Sequence, residues 1–146
     1  MNSTQLPSVT LSVTIPSFQS TTESNCMPAT IAIDTAEPNT LNATMNGEWL
    51  TVPNTGTAGG DIIFKMLSEG IIFIGIALKS NKGTAGNNAF YTSTVDHTTE
   101  TLKVTDIGSE TGDDVVAYQY LIIVQDVASQ AIGYIDPGII NNPNEN

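Results

Sequence analysis

His97 is the single histidine of the chain and sits between Asp96 and Glu100 in the run TSTVDHTTE. Imidazole, a hydroxyl and a carboxylate are the residue types of acyl transfer, in which the ring takes a proton from the nucleophile and the carboxylate orients the ring. The chain is so rich in serine, threonine and aspartate that one histidine meets this requirement anywhere. No Gly-x-Ser-x-Gly elbow is present to expose a nucleophile. A solvated turn histidine is therefore the better reading, a hydrolase through His97 ranks third among the functions considered, and no catalytic residue is assigned. Cys26, the only cysteine, lacks the cationic neighbour in sequence that would favour a thiolate, and reads as an inert buried thiol.

The run TDIGSETGDD gathers Asp106, Glu110, Asp113 and Asp114. Calcium takes oxygen ligands from carboxylates, backbone carbonyls and water, so Asp106, Glu110 and Asp113 form a candidate calcium loop, although the spacing is not that of an EF-hand. The competing reading is a solvated acidic turn, with Asp114 held structurally. The tetrapeptide GTAG occurs at residues 56–59 and again at 83–86, each time ahead of an apolar segment. Phosphate-cradling loops place a helix N-terminus after the glycines, whereas Asp61 and a strand-like run follow here, so nucleotide binding is discounted and no cofactor is assigned. Trp49, Tyr91, Tyr118, Tyr120 and Tyr134 supply aromatic area for stacking on sugar, but aromatics of alternating strands are more often core.

Charge narrows the partners. Four lysines, no arginine and fifteen acidic residues give a formal net charge of −11. Binding to phosphate backbones or anionic lipid needs clustered cations, so nucleic acid and membrane surfaces are excluded as partners. A protein partner, another copy of the chain, or carbohydrate remain. At 146 residues the chain forms one domain and buries about 68–70 % of its unfolded surface without needing a metal or disulfide. The opening MNSTQLP lacks the basic and apolar regions of a secretory leader, which makes the cytoplasm the expected compartment and leaves the sequons at Asn2 and Asn42 without weight. The apolar run at 70–78 is about half the ~20 residues of a membrane helix and suits a strand.

The elements that must position these residues are strands. SVTLSVTI, between Pro7 and Pro16, alternates Val9, Leu11, Val13 and Ile15 with hydroxyl residues, the period of a half-buried strand. At a sheet edge, with no charge inside it, this strand would invite self-pairing. ATIAIDT follows at 29–35, and Glu37-Pro38 ends it. TLNATM runs into Asn46-Gly47 and then EWLTV, the strongest hairpin signal in the chain. DIIFKML and IIFIGIAL are continuous apolar runs, expected to cross the centre of sheets covered on both faces, with Glu69 and Lys79 as flanking gatekeepers. NAFYTSTV, TLKVTDI, DVVAYQYLIIV and IGYIDPGIIN complete about ten strands, at the roughly 8–12-residue spacing of a β-sandwich. No segment sustains helical periodicity. The fold class is an all-β, antiparallel β-sandwich in one domain over 1–146, with short flexible polar ends at about 1–7 and 142–146.

Asp114, Val116, Tyr118 and Tyr120 at two-residue intervals resemble the D-x-A-x-Y-x-C signature of immunoglobulin-like domains. The resemblance implies that Tyr118 locks a tyrosine corner with Asp114 beside it, that Tyr120 stands where the disulfide cysteine would be, and that Trp49 is the candidate for the buried tryptophan. Together with Glu37-Pro38 and Asp136-Pro137, the chain also resembles the DP-EP family of small bacterial proteins, which implies an immunoglobulin-like fold and carries over no activity. The function expected is a non-enzymatic binding or assembly module that meets a protein partner or another copy through edge strands or loop ends. The alternative is a calcium-assisted carbohydrate-binding domain.

Overall fold

A computed structural model describes residues 7–19, 26–47, 49–53, 60–82, 90–106, 116–136 and 138–142. It contains eleven strands: β1 Ser8–Thr14, β2 Thr30–Ile33, β3 Thr44–Asn46, β4 Trp49–Pro53, β5 Gly60–Met66, β6 Ile71–Lys82, β7 Phe90–Asp96, β8 Thr101–Asp106, β9 Val116–Asp126, β10 Ile132–Ile135 and β11 Gly138–Asn142. Among the described residues there is no helix, and hence none long and apolar enough to cross a membrane. The first sheet runs β2-β1-β5-β8-β7; the second runs β10-β9-β11-β4-β3, with β6 added on the other side of β9.

Alternation in the sequence becomes a buried face in the structure. Val9, Leu11 and Val13 of β1 are essentially inaccessible, as are Ile62 and Phe64 of β5 and Leu102 and Val104 of β8. They join Leu50 and Val52 of β4, Phe73 of β6, and Ile122 and Val124 of β9 in one apolar cluster, so the two sheets share a core. Phe64 and Phe73, both essentially inaccessible, are the largest of these side chains.

The antiparallel expectation holds for most pairings but not all: β1 runs parallel to β5 and β11 parallel to β4. The β1–β5 ladder is prolonged past the end of β5 by a side chain. The Leu67 N–H donates to the Val13 carbonyl at 2.9 Å, and the Ser68 hydroxyl then accepts from the Ile15 N–H at 2.8 Å and donates to the Ile15 carbonyl at 3.2 Å. One hydroxyl thus satisfies both backbone groups of Ile15, which a neighbouring strand would otherwise serve. β1 is consequently an interior strand, flanked by β2 and β5, and the edge position entertained for SVTLSVTI is corrected.

DIIFKML does cross the first sheet between β1 and β8, but IIFIGIAL does not lie at a centre: among the described residues β6 pairs with β9 alone. Its continuous apolar character comes instead from a shift in phase. The register steps between Phe73 and Gly75 and again between Leu78 and Ser80, leaving Ile74 and Lys79 as the extra residues of two irregularities. Phe73 therefore faces the core and so, three residues on, does Ile76, with Ile74 turned to solvent at 42 % exposure.

The Asn46-Gly47 hairpin joins β3 and β4, with Asn46 opposite Trp49 and Gly47 at φ +61°, the left-handed region that two-residue hairpin turns require. IGYIDPGIIN forms two strands rather than one. Ile135 pairs with Ile122 and Gly138 with Gln119, so β10 and β11 keep one register line on β9 on either side of Asp136. Gly133 in β10 is a packing requirement: a Cβ there would collide with Met27 Cε and stand 2.8 Å from the Gln19 carbonyl oxygen.

Replacing Ser68 with alanine removes both bonds to the Ile15 peptide and is expected to cost about 1–3 kcal/mol in urea unfolding, the penalty for part-buried backbone groups left unpaired. An unchanged midpoint and slope would show that water substitutes for the hydroxyl at no cost.

Candidate functional site

The strand ends sort the connections between sheets into two groups. In the first sheet Gly60 lies opposite Asp106, and Asp106 opposite Phe90. In the second, Lys82 lies opposite Ala117, Asn141 opposite Val116, and Asn142 beside Pro53. These residues bound 54–59, 83–89 and 107–115, so both GTAG segments and the acidic segment are attached at one end of the fold. Glu110, Asp113 and Asp114, named above for calcium and for the corner, lie outside the described residues. Asp106 is the last residue of β8 and anchors the acidic segment in register with Gly60, which directly follows the first GTAG. Among the described residues no three histidine, cysteine, aspartate or glutamate side chains come together as a metal cluster.

The opposite end carries tight turns. β7 and β8 are joined by His97–Glu100, β9 and β10 by Val127–Gln130, and the two connections follow one plan. Each begins after a strand-terminal aspartate, and each has a fourth residue at positive φ, Glu100 at 57° and Gln130 at 62°. The Asp96 carboxylate accepts from the Thr98 N–H at 2.9 Å and the Thr99 N–H at 3.4 Å. The Asp126 carboxylate accepts from the Ser129 hydroxyl at 2.6 Å. The backbone donors of Thr98, then of Thr99, hold the Asp96 carboxyl below its ordinary 3.8. The shared pattern Asp-x-x-Thr/Ser-Glu/Gln was visible in the sequence and marks both turns.

His97 lies in this group, exposed but engaged: its Nε2 is 3.1 Å from the Phe73 carbonyl oxygen. A carbonyl only accepts, so Nε2 carries the proton and donates. The ring therefore ties the turn between β7 and β8 in the first sheet to edge strand β6 of the second. Asp96, which a triad would use to orient the imidazole, is occupied in capping its own turn. The histidine is exposed in a turn, and it also makes one hydrogen bond to a strand of the other sheet.

One cleft among the described residues borders Glu37-Pro38 and another borders Asp136. The first, about 500 Å³, is lined by Glu37, Pro38, Ser8, Thr10 and Ile63 on the outer face of the first sheet. Thr40 also lines it, its hydroxyl accepting from the Ser8 N–H at 2.8 Å. The second, about 410 Å³, lies between Cys26, Met27, Ile31, Ile135 and Asp136. Cys26 is half-buried at this cleft rather than fully buried as expected, and among the described residues its lining contains no cation of the kind thiolate chemistry uses.

Trp49 is corrected. Leu50 and Val52 fill the core positions of β4, and Trp49, one residue out of phase, is half-buried on the outer face of the second sheet beside Gly138. A tryptophan followed by a buried Leu-x-Val belongs to the outward face by alternation alone. Tyr118 and Tyr120 lie in β9, opposite Asn81 and Leu78 of β6, and Tyr118 also opposite Ile139 of β11.

Comparison with models of known protein families gives no match, and comparison with curated proteins gives none either.

His97→Ala is expected to lower stability by about 0.5–1.5 kcal/mol, the worth of one hydrogen bond, as measured by chemical denaturation. Loss of catalytic turnover without loss of stability would instead support the hydrolase reading. Because the Asp96 carboxyl is held low in the folded chain, its contribution is present above its unfolded value and is lost as pH falls through and below 3.8. Asp96→Asn keeps the turn geometry without titrating, and should flatten part of the acid-side decline in melting temperature; an identical decline would contradict the cap.

Proposed function

We propose that this chain is a non-enzymatic, immunoglobulin-like β-sandwich module that binds a protein partner, or another copy, through the end at which residues 54–59, 83–89 and 107–115 are attached. The observation that carries the reading is the combination of three connections leaving one end with edges unsuited to strand addition. Among the described strands, β2 and β10 have four residues and β3 three, β6 is interrupted twice and braced by His97, and the seven-residue β7 carries an irregularity between Phe90 and Thr92. Short or irregular edges oppose pairing with a foreign strand, and connections held on a rigid scaffold are where binding residues concentrate.

The immunoglobulin-like element is supported by the grouping of strands. β5, β8 and β7 share one sheet while β6, β9 and β10 with β11 share the other, which is the partition of strands B, E, D from C, F, G in that fold. The parallel pairing of β1 with β5 departs from the pattern. Membership of the DP-EP family, and with it a bacterial, cytoplasmic setting, forms part of the proposal, supported by the dipeptides Glu37-Pro38 and Asp136-Pro137 of the sequence.

Replacing 107–115 and both GTAG segments with neutral Gly/Ser sequence of equal length tests the reading. Binding to a purified partner, measured by calorimetry, should be lost in that variant and kept in His97→Ala. Retention of full affinity by the replaced chain would rule out this end. A second reading, calcium-assisted carbohydrate binding, is favoured by the attachment of the acidic segment beside both GTAG segments. It requires calcium to raise the melting temperature above matched magnesium and EDTA samples, since a ligand of the folded state stabilises by mass action. A glycan array run with calcium would then show saturable binding, and equal melts in the three samples would end this reading.

A further inference from the structure

An asparagine amide carbon is an electrophile, and the backbone nitrogen of the next residue is within reach of it, so the two react with the advantage of proximity unless the fold restrains them. Asn39, Asn42 and Asn46 lie close together in the chain and are restrained differently. The nitrogen after Asn39 belongs to Thr40 and donates to the Ser8 carbonyl at 2.9 Å, while the Asn39 amide donates to the Ala43 carbonyl at 2.8 Å. The nitrogen after Asn42 belongs to Ala43, which is buried, and donates to Asn39 Oδ1 at 3.1 Å. Asn46 has neither restraint. Asn46 and Gly47 are both exposed, and among the described residues neither the Asn46 amide nor the Gly47 N–H has a hydrogen-bond partner. Asn46 is also the only asparagine of the chain that glycine follows, so no side chain shields the attacking nitrogen, and the space where a Cβ would stand is open.

We infer that Asn46 is a site of spontaneous deamidation whose isoaspartyl product releases edge strand β3 from β4. The Gly47 nitrogen bonds to Asn46 Cγ, the Cγ–Nδ2 bond breaks, and ammonia leaves with the Gly47 N–H proton, closing a cyclic imide. Water then opens the imide at either carbonyl. Opening at Cγ leaves an ordinary aspartyl residue; opening at the backbone carbonyl leaves the chain linked through the side chain, with one extra backbone atom. Both products add a carboxylate to a chain already at −11. The extended backbone of a strand residue holds the Gly47 nitrogen away from Cγ, so closure follows fraying of the hairpin end, which a three-residue edge strand permits at low cost. Register gives the consequence. β3 is held by Thr44 opposite Thr51, Met45 opposite Leu50 and Asn46 opposite Trp49. An extra backbone atom at Asn46 lengthens a connection that a two-residue turn fits, breaks the last pair, and shifts the spacing by which Met45 packs against the core. β4 keeps β11 on its other side, so the change stays local. The site is independent of the binding end proposed above, because Pro53 rather than Trp49 adjoins residues 54–59.

Peptide mapping by mass spectrometry tests this on the full folded chain, aged at mildly alkaline pH in water enriched in heavy oxygen. Asn46 should convert at least ~10-fold faster than Asn39 or Asn42, with one heavy oxygen taken up per event and both aspartyl and isoaspartyl products present. Asn46→Gln keeps an amide but requires a larger ring, and should abolish conversion at this position. The comparison of the three asparagines is made within the native chain, so it decides the matter even where the variant does not fold. Ion exchange separates the converted chain by its extra charge, and the isoaspartyl form should lose hydrogen-exchange protection in β3 while keeping it in β9. Conversion of Asn46 no faster than that of Asn39 or Asn42, or full protection of β3 in the isoaspartyl form, would overturn the inference.

Discussion

The second sheet is organised by the backbone ladder of β9. On one side β9 pairs with β6 from Ala117 to Asp126; on the other it carries β10 and β11 in a single register line, and β11 in turn places β4 and β3. The ladder aims Ile122 and Val124 at Leu11, Phe64 and Leu102 of the first sheet, so backbone pairing and core packing specify the same arrangement. A slip of one residue along β9 would turn its buried set outward and carry the flanking strands with it. The interruption between β10 and β11 is tolerable under this constraint because both strands keep one register on β9.

From that spine follow both ends of the molecule. The antiparallel run of β6, β9 and β10 brings the turns at 67–70 and 127–130 together, with the Val127 N–H bonded to the Gly70 carbonyl, and sends the acidic and GTAG connections to the far end. Among the described strands, the edges β2, β3 and β10 are short, and β6 and β7 are irregular. His97 completes the closure where the two sheets approach, accounting for a lone histidine without assigning it chemistry.

Much of this was legible in the residues. Alternation in SVTLSVT gives a strand whose Val9, Leu11 and Val13 are buried, and Asn46-Gly47 gives the β3–β4 hairpin, because both signals are local and steric. Pairing partners were not legible, since β1 against β5 and β11 against β4 join residues far apart in sequence and in parallel, which no local pattern encodes. The apolar run of β6 was misleading for a physical reason. A one-residue irregularity at Ile74 lets apolar residues on both sides of it reach the core in turn, imitating a strand buried on two faces, and Gly75 inside the run was the available warning. Trp49 shows the limit of resemblance: the position suggested a core tryptophan, but its neighbours Leu50 and Val52 already occupied the inward phase. For the calcium carboxylates, only the attachment point at Asp106 is described.

Residue-resolved hydrogen exchange tests most directly whether β9 is the element on which the rest depends. Amides of Leu121 to Val124 should exchange only through global unfolding, with an opening free energy equal to that from denaturant melts, while amides of β2 and β3 open at lower cost. Exchange of the β9 amides at a free energy below that of β3 would contradict the account.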